Sequence, residues 1–136
     1  MTFAWKIFFP ILGFMLALDF IWLSLMSKSF YLPQFGSLAR IIDGKFQPIY
    51  WAGGVVYLVM AFGVVFFALP RVGESWLEAA LVGALYGFTI YAVYDFTNFA
   101  TLHRWPPILL LVDLSWGTAL GSLATIAAKF MRDNVR

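Results

Sequence analysis

Asp19, Asp95 and Asp113 lie inside long apolar stretches of a chain in which 12% of the residues are charged and 62% are hydrophobic. A charged side chain near the centre of a bilayer costs roughly 2.5–3.5 kcal/mol on insertion scales, so carboxylates placed there usually face a protein interior or a cavity and mark a working site. Several chemistries are open to such groups. They could bind a small polar or amphipathic ligand, relay protons, or offer oxygen ligands to a hard divalent cation. Two of them could also share one proton as an acid–base pair.

The spacing of the three aspartates gives them a common depth. Asp19 is eight residues before Ser27, Asp95 eight before His103, and Asp113 seven after Pro106. At a helical rise of 1.5 Å per residue, each then lies about 10–12 Å below the same membrane face. Leu18-Asp19-Phe20-Ile21-Trp22 and Val112-Asp113-Leu114-Ser115-Trp116 share a pattern in which Trp follows Asp by three residues. On a helix that spacing puts carboxylate and indole on one face, so the indole N–H could donate to a carboxylate of a neighbouring helix. A third polar run, Tyr94-Asp95-Phe96-Thr97-Asn98, places Tyr91, Tyr94, Asp95 and Asn98 on one helical face. The predicted ligand-binding set is therefore Asp19, Trp22, Tyr91, Tyr94, Asp95, Asn98, Asp113 and Trp116. His103 and Arg104 are accessory candidates, the first as a base near the cavity mouth and the second as a contact for a headgroup phosphate.

These residues need helices long enough to carry them into a bilayer. A mean hydropathy of +0.86 and 20% aromatic residues are the composition of an integral membrane protein. Apolar stretches at about 5–26, 48–69, 76–102 and 107–130 are each long enough to span the hydrocarbon core. The expected fold is all-α: a polytopic membrane protein of four transmembrane helices in an up-down bundle, with 1–136 as a single integral membrane domain. The first stretch carries Asp19 and lacks a small-x-small cleavage site before Ser27, so it is expected to stay as a helix.

The connections differ in character. Pro70 to Gly73 is a short turn, and Ser75 with Glu78 has capping-box spacing, so the second and third helices should be antiparallel neighbours. Pro106-Pro107 suits the opening of the fourth helix. The first connection, 27–47, is too long for a simple turn and too polar to span. Tyr31, Phe35, Leu38 and Ile42 recur there at helical spacing, which predicts a short amphipathic helix in the interface, and Asp43-Gly44 predicts a turn before the chain re-enters. Gly83-x-x-x-Gly87 and Gly117-x-x-x-Gly121 allow close helix approach. Trp5, Trp51, Trp76 and Trp105 fall near helix ends, where indoles favour the headgroup region.

Charge and cysteine content exclude some classes. A net charge of +2 gives no support to nucleic-acid binding, and the lack of cysteine excludes disulfides, thiolate metal sites and thiol nucleophiles. Lys6, Arg71, Lys129, Arg132 and Arg136 fall on one side and Lys28, Arg40, Lys45 and Arg104 on the other. That balance favours cytoplasmic termini.

Leu-Asp-x-x-Trp-Leu at 18–23, Tyr-Asp-Phe-Thr-Asn-Phe-Ala-Thr-Leu at 94–102 and Val-Asp-Leu-Ser-Trp-Gly at 112–117 together resemble a family of small bacterial membrane proteins classed as a domain of unknown function. The resemblance covers nearly the whole chain, with Phe30-Tyr31 as a further match. It implies a four-helix protein of the inner membrane and supplies no catalytic assignment.

Three functional readings stay open. A carboxylate-lined cavity could serve a carrier, a channel or a lipid-handling protein, with membrane lipid as partner and a homo-oligomer where transport is involved. A membrane-embedded enzyme could act on a lipid or isoprenoid, with no cofactor expected beyond a divalent cation on the aspartates and Asn98. The chain carries no metal-helix spacing, aspartate-rich prenyl motif, P-loop, dinucleotide fingerprint or serine elbow, which weighs against the enzyme. In the third reading the aspartates are interhelical glue, yet hydrogen bonds between membrane helices average only about 0.6 kcal/mol, well short of the insertion cost.

Overall fold

The computed structural model describes residues 2–135. Arg136, one of the charges that bear on sidedness, lies outside the described residues. The described residues are 84% helical, and among them four helices are long and apolar enough to cross a membrane. The protein is therefore an all-α, multi-pass membrane bundle.

Helix α1 runs over Thr2–Met26 and does not stop there. It continues through a π-helical turn, Ser27–Tyr31, into α2, Leu32–Phe35, and a 3-10 turn, Gly36–Leu38. The amphipathic segment expected as a separate helix is thus an extension of the first span. The reason lies in Pro33, which has no N–H for the carbonyl four residues back and would crowd it in a regular α-helix. The wider π turn just before Pro33 absorbs that misfit. Gly36, at φ +53°, then lets the chain leave the helical path. A two-stranded antiparallel hairpin follows, with β1, Ile41–Ile42, paired to β2, Lys45–Phe46. Asp43 and Gly44 both have positive φ, the geometry of a two-residue hairpin turn.

Helix α3, Tyr50–Gly63, repeats the device. A π turn at Val64–Ala68 precedes a 3-10 turn, Leu69–Arg71, that contains Pro70. Helix α4, Trp76–Thr101, is capped by Ser75, whose Oγ accepts from Leu77 N at 3.1 Å and Glu78 N at 3.4 Å. Glu78 closes the turn rather than the box, accepting from Gly73 N at 3.0 Å. Helix α5, Pro107–Asn134, has its proline at the first helical position.

Two kinds of packing hold the helices. On α1, Ile7, Ile11 and Met15 form a buried stripe at four-residue spacing, matched by Leu120, Ala124 and Ala128 on α5 and by Met60 and Val64 in the second span. Between α4 and α5 the contact is backbone on backbone. A Cβ on Gly83 would overlap the carbonyl oxygen of Gly121, and one on Gly87 that of Gly117. The ends are tied by Arg132, which donates from α5 to Val72 O at 2.6 Å and Gly73 O at 2.9 Å in the α3–α4 turn. None of residues 50–59 is buried, so the first half of α3 stands at the edge of the bundle. It meets α4 farther along, where Tyr86 donates to Met60 O at 2.9 Å and fills the space over Gly63.

Candidate functional site

Asp19 sits on the face of α1 that looks toward both α3 and α5, and it is 7% exposed. Trp116 of α5 donates its indole N–H to Asp19 Oδ1 at 2.8 Å, and Tyr57 of α3 donates its hydroxyl to Oδ2. Three helices therefore meet on one carboxylate.

Asp113, 8% exposed, is held by a chain of donors that begins on α1. Trp22 Nε1 donates to the Tyr31 hydroxyl at 3.0 Å, and that hydroxyl donates to Asp113 Oδ1 at 2.5 Å. The two Asp-x-x-Trp segments belong to antiparallel helices and bring their indoles face to face, with ring centroids 4.4 Å apart and planes 2° from parallel. One indole reaches the opposite carboxylate directly; the other reaches it through Tyr31. The π turn is what makes the second route possible, because it carries Tyr31 inward to a buried position.

Asp95 of α4 is fully buried. Trp105, from the short connection before α5, donates to its Oδ1 at 3.2 Å, while Oδ2 has no partner among the described residues. Trp105 is itself buried and packs with Tyr31 and Leu109. Its indole is thus an internal hydrogen-bond donor, which corrects the expectation of a headgroup anchor for this residue. Trp5, Trp51 and Trp76 are at least 42% exposed. A donor anchored between two buried neighbours, Tyr31 and Leu109, gains more from pairing with a carboxylate than from the interface. Phe35 bridges the two halves of the cluster, 5.9 Å from the Tyr31 ring and 5.8 Å from that of Trp105.

The remaining candidates divide. Tyr91 packs against Gly117, where a Cβ would overlap its ring, and joins the interior cluster that includes Trp116. Tyr94 is more than half exposed and meets Trp105 edge to face at 5.8 Å. Together with Asn98 it borders a cavity of about 320 Å³ on the first-loop side of Trp105. His103 and Arg104 are exposed and make no side-chain hydrogen bond or ion pair among the described residues. The described residues also contain no group of three or more His, Asp or Glu side chains placed to hold a metal ion.

Tyr31, Tyr57 and Trp105 are the partners that spacing alone did not single out. Tyr57 carried a signal: it is the sole side chain able to donate a hydrogen bond between Trp51 and Arg71. Such a group in an apolar span needs an internal partner. Removing the Tyr31 hydroxyl tests the relay. Tyr31→Phe leaves both the Trp22 indole and one Asp113 oxygen without a partner, so a stability loss of about 1–3 kcal/mol is expected. Thermal melting in detergent measures it, and a wild-type melting temperature would show that the relay contributes nothing.

A family model described as "Predicted membrane protein (DUF2177)" matches residues 4–130. Neither a curated protein nor a solved structure matches the chain.

Proposed function

The chain belongs to the DUF2177 family of predicted membrane proteins, and from that premise we propose that it binds protons or a small cationic, amphipathic ligand at its interior carboxylates. One observation carries the reading: Asp19, Asp95 and Asp113 are all buried, and every side chain that donates to them is a neutral indole or phenol. No lysine or arginine among the described residues forms an ion pair with them.

A buried carboxylate without a protein cation must be neutralised by something else. The simplest agent is a proton, and the next is the positive end of a ligand. Trp22 and Trp116 stack on each other beside the carboxylates, which leaves the outer faces of the pair to meet a ligand. Aromatic faces attract cations, most strongly away from water. An anionic ligand would meet repulsion at the same place. Movement of such a ligand across the membrane would require more than one copy of so small a bundle.

The test uses the purified chain in detergent with tetraphenylphosphonium as the cationic probe. Calorimetry in two buffers of different ionisation enthalpy reads the protons released on binding. Binding with proton release is expected for the wild type, and loss of both for Asp19→Asn and Asp113→Asn. Should the potentiometric titrations of these variants superimpose on that of the wild type, with no probe bound by any of them, the carboxylates neither exchange protons nor hold a cation and the proposal falls.

A further inference from the structure

We infer that the cavity beside Trp105 is a second and separate site, one that takes the phosphate-bearing headgroup of a membrane lipid with Arg40 as its anion contact. Its walls are the aromatic rings of Phe35, Phe46 and Trp105, and its polar groups are Arg40, Tyr94 and Asn98. No acidic side chain borders it. The charge of its lining is therefore opposite to that of the interior carboxylates.

Arg40 makes no ion pair and no side-chain hydrogen bond among the described residues. Its backbone is fixed, because Gln47 N donates to Arg40 O at 3.0 Å and closes the base of the β1–β2 hairpin. Arg40 thus borders the cavity from an anchored backbone, with no guanidinium donor engaged among the described residues. A planar fork of N–H groups matches phosphate oxygens two at a time, and the Asn98 amide and Tyr94 hydroxyl can supply further donors. A soluble phosphate would gain nothing from the aromatic walls. A phosphate attached to a glycerol backbone and acyl chains would cover them, which is why the walls point to a lipid.

The location fits the same occupant. The cavity lies between the extension of the first span and the last turn of α4, with Leu102 just beyond that turn also lining it. Helix ends of a membrane bundle lie at headgroup depth. Trp105 is shared: it lines this cavity and its N–H holds Asp95. A bound headgroup would therefore press on the residue that positions an interior carboxylate.

The experiment measures lipid binding to the full chain by native mass spectrometry. Dioleoylphosphatidic acid is the probe and dioleoylglycerol the uncharged control. The wild type is expected to bind the phosphate-bearing lipid about 10-fold more tightly than the control, from one charge-assisted contact. Arg40→Gln should lose that preference, Arg40→Lys should keep part of it, and Lys45→Gln, a neighbouring charge outside the cavity, should keep all of it. Arg40 is exposed in a loop, and equal melting temperatures of the two Arg40 variants would exclude a folding defect as the cause. Equal losses in Arg40→Gln and Lys45→Gln would mean diffuse surface attraction and would overturn the inference. Full competition by excess inorganic phosphate would overturn it as well, by assigning the site to a soluble anion.

Discussion

Replacing Gly87 with leucine is expected to abolish the α4–α5 pairing and with it the folded bundle. A Cβ at this position overlaps the carbonyl oxygen of Gly117 and comes within 2.9 Å of its carbonyl carbon and 3.1 Å of Gly121 Cα. All three neighbours are backbone atoms, so no rotamer change relieves the clash. Overpacking of an adaptable core costs about 1–3 kcal/mol. Here the two helices must move apart along their whole contact, and the cost should exceed that range. Separation would also lift Tyr91 off Gly117 and pull Asp95 away from the network around Asp113.

The measurement is the fraction of protein that remains monodisperse in detergent after heating. Gly13→Leu is the matched control, since a Cβ there meets nothing within 4 Å. Gly13→Leu should behave as the wild type while Gly87→Leu aggregates or fails to accumulate. If both variants survive alike, close approach of α4 and α5 is not what holds the bundle together.

Why some of this architecture could be read from residues alone, and some could not, follows from how local each feature is. The four spans are legible because every lipid-facing position must be apolar, so length and hydropathy suffice. The burial of Asp19, Asp95 and Asp113 is legible because a carboxylate in an apolar span must avoid lipid. The Trp116 to Asp19 bond was anticipated by the Asp-x-x-Trp spacing, which puts carboxylate and indole on one helical face. The two π turns were not, although both precede a proline by one residue's interval, at Leu32-Pro33 and Leu69-Pro70. A proline in this setting reads as a stop signal, whereas a wider turn lets the helix continue past it. That single irregularity hides Tyr31, since its inward direction depends on the rotation the π turn adds. Trp105 was hidden because the other tryptophans at helix ends, Trp5, Trp51 and Trp76, are exposed and it is not. Its burial depends on Phe35 and Leu109, which come from distant parts of the chain.

Asp95 gives the sharpest separation between a residue that stabilises the fold and one retained for another purpose. It is fully buried, with one oxygen bonded to Trp105 and the other unpartnered. An intramembrane carboxylate costs roughly 2.5–3.5 kcal/mol, and its one hydrogen bond, to Trp105 of the α4–α5 connection, returns about 0.6 kcal/mol if it matches the average between membrane helices. On that balance Asp95 lowers stability. Asp95→Asn keeps an oxygen to accept from the indole and removes the ionisable group, so its melting temperature should equal or exceed that of the wild type. Asp95→Ala also removes the acceptor, stranding a buried indole N–H at a cost of about 1–3 kcal/mol. In the assay with tetraphenylphosphonium, Asp95→Asn should bind fewer protons and less probe despite its intact fold. A polar group that can be neutralised with a gain in stability and a loss of binding is held for what it binds. If Asp95→Asn instead melts as low as Asp95→Ala, or never accumulates in the membrane, then Asp95 is interhelical glue. The ionisable site would in that case be confined to Asp19 and Asp113, where neutral donors from three helices converge.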